Sequence, residues 1–273
     1  MTQRQNGYEQ QACDRLAPLL GPLRVVDRPG GQPGLHDFEA DLAGGSVAAI
    51  EVTAEVDAQR LDQASSAERR FSSLRLPGSN SLWLVGLAPD ARVNAITAAT
   101  LLPLLSDLES QGRRSAHDLG DYRDPFVARL VALRIESVYA MNAKAGHEGE
   151  VMVRPGSYGG WGWDGPAIDA WLDGLLASPQ GTNKLDKLGR AVAAQRHLVI
   201  VLDSFSQAGM GIPLGLTARH ERGAATYAMP SLVAPQPLTY LWILPSVDTW
   251  EGLRWTRASG WAALPALRSA QPS

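Results

Sequence analysis

The sequence predicts an α/β fold in which a mixed central β-sheet is flanked by helices. Three observations carry that expectation. An amphipathic opening segment is followed by three short strand-like runs, helical spacing then alternates with apolar strands such as SLWLVGL (81–87) and HLVIVLD (197–203), and no internal repeat breaks the pattern. The composition agrees, since 273 residues with 45% hydrophobic and 19% charged content lie in the range of folded chains rather than disordered ones.

Residues 6–20 read as the first helix, because Cys13, Leu16 and Leu20 fall on one stripe at spacings of three and four. Glu9 lies on the same stripe, either at its wet end or aimed at something that wants negative charge. LRVVD (23–27), HDFEADL (36–42) and SVAAIEVT (46–53) read as strands, the last two joined by a hairpin at Gly44-Gly45. Residues 56–75 return to helical spacing, SLWLVGL is a buried strand, and 91–111 a helix carrying Val93, Ile96, Leu101, Leu104, Leu105 and Leu108. VALRIESVYAM (131–141) and EVMVRP (150–155) are further strand candidates, followed by the glycine-rich aromatic loop GSYGGWGWDG (156–165). A helix at 166–177 buries Ile168, Trp171, Leu172, Leu175 and Leu176, and a second at 183–196, capped by Thr182 or Asn183, leads into HLVIVLD. YLWIL (240–244) is a last strand after a proline-rich loop. The expected organisation is a core over 1–111 and an extension over 112–273 packed on it as one compact unit.

Composition also excludes some classes. A net charge of −3 does not give the domain-wide basic footprint of most nucleic-acid binders, although a nuclease needs only a local basic rim. Cys13 is the only cysteine, which removes intramolecular disulfides and thiolate zinc sites. His117, His147 and His220 lack metal-ligand spacing. The N-terminus has no apolar signal-peptide core, and no run approaches the roughly 18 apolar residues of a membrane span, so a cytoplasmic protein without a membrane partner is expected. Phosphate-loop, dinucleotide and nucleophile-elbow motifs are missing.

The chemistry concentrates in residues 35–53. Strand alternation puts Asp37, Glu39 and Asp41 on one face, and Glu51 and Thr53 together on the next strand. Hairpin pairing can then join Asp37 to Glu51. Two carboxylates held together repel, and a hard divalent cation supplies the compensation, with the Val52 carbonyl as a third oxygen. The bland alternative makes both acids solvated strand ends, Glu9 an exposed first-turn glutamate, and Thr53 an ordinary β-former.

An acid on the second strand (Asp37 in HDFE), an E-x-K-like element on the third (Glu51 and Thr53 in EVT) and an acid on the first helix (Glu9) resemble the PD-(D/E)xK, or restriction-endonuclease-like, superfamily. The motif-bearing part spans roughly residues 6–86. TNKLDKL, RHLVIVLD and YLWILP, with the Trp-rich end, are similar to segments of actinobacterial proteins carrying such a core. The resemblance implies a restriction-endonuclease-like core, Mg²⁺ or Mn²⁺ held by Asp37, Glu51 and Val52, and phosphodiester hydrolysis, DNA ahead of RNA. His36 stands where the family often has proline. Thr53 stands where the family has the lysine that orients water and stabilises phosphate charge, and Lys184 or Lys187 is the expected replacement. The expected catalytic set is Glu9, Asp37, Glu51, Thr53, Lys184 and Lys187. The competing expectation is a catalytically silent relative that binds nucleic acid or a protein partner; a homodimer is compatible with either.

Three further groups have ordinary readings. Lys184, Lys187 and Arg190 form a basic stripe that reads either as a phosphate contact or as a solvated face. His197 reads as structural, and Asp203 as a turn residue. Seven of the eight tryptophans lie between Trp161 and Trp261 and are explained by packing, with base stacking as the alternative.

Overall fold

The computed structural model describes residues 3–27, 35–117, 124–156, 163–204, 206–222, 228–247 and 250–266. The chain begins with α1 (Gln3–Leu20), β1 (Leu23–Val25), β2 (Phe38–Asp41) and β3 (Val47–Glu55). It continues through α2 (Ala58–Phe71), β4 (Ser81–Leu87), a 3₁₀ turn at Val93–Ala95, α3 (Ala98–Ser110), β5 (Ser115–His117), α4 (Pro125–Ala132), β6 (Ile135–Asn142) and β7 (Val151–Pro155). Last come α5 (Gly165–Ala177), α6 (Pro179–Arg190), β8 (Gln195–Leu202), α7 (Gln207–Arg222), β9 (Tyr240–Pro245), β10 (Gly252–Thr256) and β11 (Gly260–Leu264).

These elements form two compact units, one of Met1–Val56 with Gly160–Ser273 and the other of Asp57–Gly159. The second is inserted into the first between β3 and α5. The boundary expected at 111/112 falls inside the inserted unit, between α3 and β5. Hydrophobic spacing cannot reveal this, because an excursion into a second core carries the same periodicities as continued growth of the first.

The first unit is built on a seven-stranded mixed sheet in the order β1-β2-β3-β8-β9-β10-β11. β1, β2 and β3 form an antiparallel meander, with Phe38 opposite Ile50. β8 runs parallel to β3, with Leu198 opposite Glu51, and parallel to β9. Alternation along the strands feeds two separate cores. Ile50, Val52, Val199 and Trp242 pack with Ala12 and Leu16 of α1 on one face. Ala49, Leu198, Ile200 and Leu241 pack on the other with Ile168 and Leu172 of α5, Leu188 of α6, and Ile212 and Leu216 of α7.

The inserted unit has its own mixed sheet, β5-β6-β4-β7, and a core in which Trp83, Val85 and Val138 meet Phe71, Leu101, Leu105, Phe126 and Leu130. SLWLVGL is β4 of this sheet, so it is not the strand that follows the meander in the first sheet; β8 takes that place. Residues 131–134, expected as strand, close α4, whose start is set by the Asp124 cap and Pro125 at its first position. α7 was hidden by Gly209, Gly211, Gly215 and Pro213, residues of poor helix propensity that tertiary packing overrides. Among the described residues no helix is long and apolar enough to cross a membrane.

Candidate active site

The site grows from the point where β2 stops and β3 does not. The Asp37 main chain still belongs to the meander: its N–H donates to the Ile50 carbonyl at 3.1 Å, and its carbonyl accepts from Val26 N–H at 2.9 Å. One step further along β3 the partner strand has turned away. There the Asp37 side chain takes over, Oδ2 accepting the Val52 N–H at 2.7 Å. A strand residue's N–H and C=O leave on the same edge. The Val52 carbonyl therefore faces the edge that Asp37 occupies.

Glu51 projects to the opposite face from Ile50 and Val52, towards α6, and its side chain is 0% exposed. α6 opens four residues earlier than the sequence suggests. Ser178 caps it, its hydroxyl accepting the Gly181 N–H at 3.0 Å, and Pro179 occupies the first turn. That start puts Gln180, Lys184 and Lys187, at i, i+4 and i+7, on the face turned to β3. The Gln180 amide donates to Thr53 Oγ1 at 2.8 Å. Lys184 Nζ stands 2.6 Å from Glu51 Oε1 and 3.7 Å from Asp37 Oδ2. Lys187 Nζ reaches the same Glu51 oxygen at 3.1 Å and lies 4.0 Å from Asp27 Oδ2, at the end of β1.

Two members of the basic stripe thus leave the solvated face, while Arg190 stays exposed. The Lys184 and Lys187 side chains are only 12% and 14% exposed. The charges press on one another accordingly. Burial pushes the Glu51 carboxyl above its ordinary value and the charge of Asp37 adds to this, while Lys184 and Lys187 pull it back. For Glu9, burial and then Asp37 raise the carboxyl, with Lys184 and Lys187 opposing, so this helix residue feels the same cluster from α1. Burial works against the charge on Lys187, but Glu51, Asp37 and Asp27 outweigh it and hold the ammonium above the usual lysine range.

One atom is left out. Glu51 Oε2 is buried and has no hydrogen-bond partner among the described residues, whereas Oε1 carries both ammonium contacts. A buried carboxylate oxygen without a donor is costly, and a cation is one way to satisfy it. No group of three His, Cys, Asp or Glu side chains among the described residues is arranged to hold a metal ion. The oxygens available to one are those of Asp37 and Glu51 with the Val52 carbonyl.

Asp37, Glu51, Lys184 and Lys187 therefore converge, Thr53 stands beside them under Gln180, and Glu9 is coupled through its charge. Two participants escaped the sequence reading. Asp27 is a strand-end acid with no motif around it. Gln180 becomes visible only once Ser178-Pro179 is recognised as a helix start. Other expected groups have structural roles. His197 is enclosed, with Trp242 Nε1–H donating to its Nδ1 at 3.3 Å, so Nε2 carries the proton facing the Gln195 amide oxygen at 3.0 Å. Asp203 accepts the hydroxyl of Tyr8. Trp171 packs edge-on against Trp163, and Trp261 donates to the Leu232 carbonyl at 2.9 Å. Trp161 lies outside the described residues.

Compared with known proteins, the chain matches no protein-family description, no curated protein and no solved structure.

Proposed function

We propose that this protein is a divalent-metal-dependent nuclease of the PD-(D/E)xK type that hydrolyses phosphodiester bonds in DNA, with RNA as the second substrate to be tried. The single observation that carries the reading is the Lys184 ammonium lying between the carboxylates of Asp37 and Glu51, 3.7 and 2.6 Å away. It brings from a helix the cation that Thr53 fails to bring from the strand. The order of α1, the β1-β2-β3 meander and then, after the insertion, helices leading to parallel β8 supports a restriction-endonuclease-like core.

The orphaned Glu51 Oε2 fits a cation, and Asp37, Glu51 and the Val52 carbonyl would hold Mg²⁺ or Mn²⁺. When bound, such an ion supplies Lewis-acid polarisation of a phosphoryl oxygen and a water of lowered pKa. The chain's own groups then have distinct tasks. Lys184 offers positive charge where negative charge develops on the phosphate. Lys187 balances Glu51 and Asp27, and the Gln180–Thr53 hydrogen bond keeps α6 in register with β3. Glu9, held protonated to higher pH than a free glutamate, supplies a proton donor or acceptor at the edge of the cluster.

A second reading rests on the same contacts. Both ammonium groups engage Glu51 Oε1 and the Thr53 hydroxyl is taken by Gln180, an arrangement that also suits a silent scaffold binding nucleic acid or a protein. Incubating purified protein with plasmid and single-stranded DNA in Mg²⁺ or Mn²⁺ separates the two. Asp37→Ala and Asp37→Asn serve as controls; asparagine keeps an acceptor for the Val52 N–H while losing the charge. Cleavage that requires metal and disappears in both variants is expected. Binding without cleavage would select the silent reading, and undiminished cleavage in Asp37→Asn would remove the nuclease proposal.

A further inference from the structure

We infer that this site takes one divalent cation rather than a pair, because Lys184 already occupies the position of the second positive centre. The inference rests on the metal reading above and adds its stoichiometry. In a paired-metal site two ions stand roughly 3.5–4 Å apart and share a bridging oxygen between them. Here a Glu51 oxygen that such a pair would have to share is already engaged. Glu51 Oε1 carries Lys184 at 2.6 Å and Lys187 at 3.1 Å, and the Lys184 ammonium spans the gap to Asp37 Oδ2 at 3.7 Å.

What remains is one free oxygen on each carboxylate. Glu51 Oε2 is buried without a partner, and Asp37 Oδ1 lies outside the contacts made by Oδ2. That supply suits a single cation with the Val52 carbonyl and water completing its shell. The two lysines are not equivalent. Lys184 bridges Asp37 and Glu51, whereas Lys187 bridges Glu51 and Asp27, so only Lys184 stands between the two residues that would bind metal.

Counting bound Mn²⁺ on the full-length chain by electron paramagnetic resonance tests this without reference to activity. Wild type should bind one ion, Glu51→Gln none, and Lys187→Met one. Lys184→Met should bind two, with dipolar broadening between them; Lys184→Gln, which keeps a polar group at the same place, should do the same and guards against a folding failure of the first variant. Two ions in wild type, or one in both Lys184 variants, would overturn the inference while leaving the metal site standing. A second ion in Lys187→Met would overturn it as well, since loss of any charge would then suffice. No ion bound by wild type would remove the metal reading and the inference together.

Discussion

The sharpest stability prediction concerns His197, and its size follows from where the ring sits. The imidazole is 0% exposed, its ring centre 4.3 Å from that of Tyr240 and 6.0 Å from that of Trp242 with both rings tilted, and burial lowers its pKa from 6.5 to about 3. The unfolded chain binds a proton near pH 6.5 that the native chain refuses until about pH 3. Stability contributed by the neutral ring is therefore complete above the unfolded value and falls as pH drops through the window between the two. At about 1.4 kcal/mol per pH unit, acidification from neutrality to about pH 4 should remove roughly 3 kcal/mol through this residue alone. His197→Phe keeps the aromatic volume but strips the acceptor from Trp242 Nε1, which should cost about 1–3 kcal/mol at neutral pH. The variant loses nothing by protonation at this position. Its stability curve should therefore approach that of wild type as the pH falls. Urea unfolding followed by tryptophan fluorescence across the acid range, with nitrogen NMR of the ring, measures both halves. A ring that titrates near its ordinary value, or parallel stability curves for the two proteins, would refute the reasoning.

Two further outcomes follow from the cluster. Glu51→Ala leaves Lys184 and Lys187 without their common anchor; because both retain some contact with water, the loss should be about 2–4 kcal/mol, short of a fully buried orphan charge, and chemical denaturation reads it directly. A loss near zero would mean that the ammonium groups simply turn outward. Gly181→Ala would put a Cβ 2.2 Å from the Leu175 carbonyl oxygen and 2.8 Å from Leu176 Cα, both backbone. The α5–α6 joint must then open, at about 1–3 kcal/mol, and Lys184 should lose its aim, so the cleavage proposed above should fall further than stability alone accounts for.

Much of the candidate site's geometry was legible before the fold. Alternation along HDFEADL and SVAAIEVT put Asp37 and Glu51 within pairing distance, and the hairpin at Gly44-Gly45 joins them: both glycines adopt positive φ, at 82° and 75°, the backbone such a turn demands. The sequence left α6 undecided, since Lys184 and Lys187 read either as the replacement cation or as a solvated face turned away from Leu185 and Leu188. The close packing of Gly181 against α5 fixes the rotation of α6 that points both lysines at β3. Tryptophan counts were equally mute, since stacking and packing leave the same composition.

Local pattern by itself determined the α/β class, three successive strands with the last two as a hairpin, and the pairing of the two carboxylates, because strand alternation and turn chemistry act over a few residues. The insertion of 57–159, the pairing of β3 with β8 instead of β4, and the delivery of Lys184 to Glu51 were decided only by tertiary structure. Those contacts join residues more than a hundred positions apart. Nothing in short-range periodicity records which distant strand or helix will lie alongside, so the cation that completes the cluster came from a segment that sequence spacing could propose but not place.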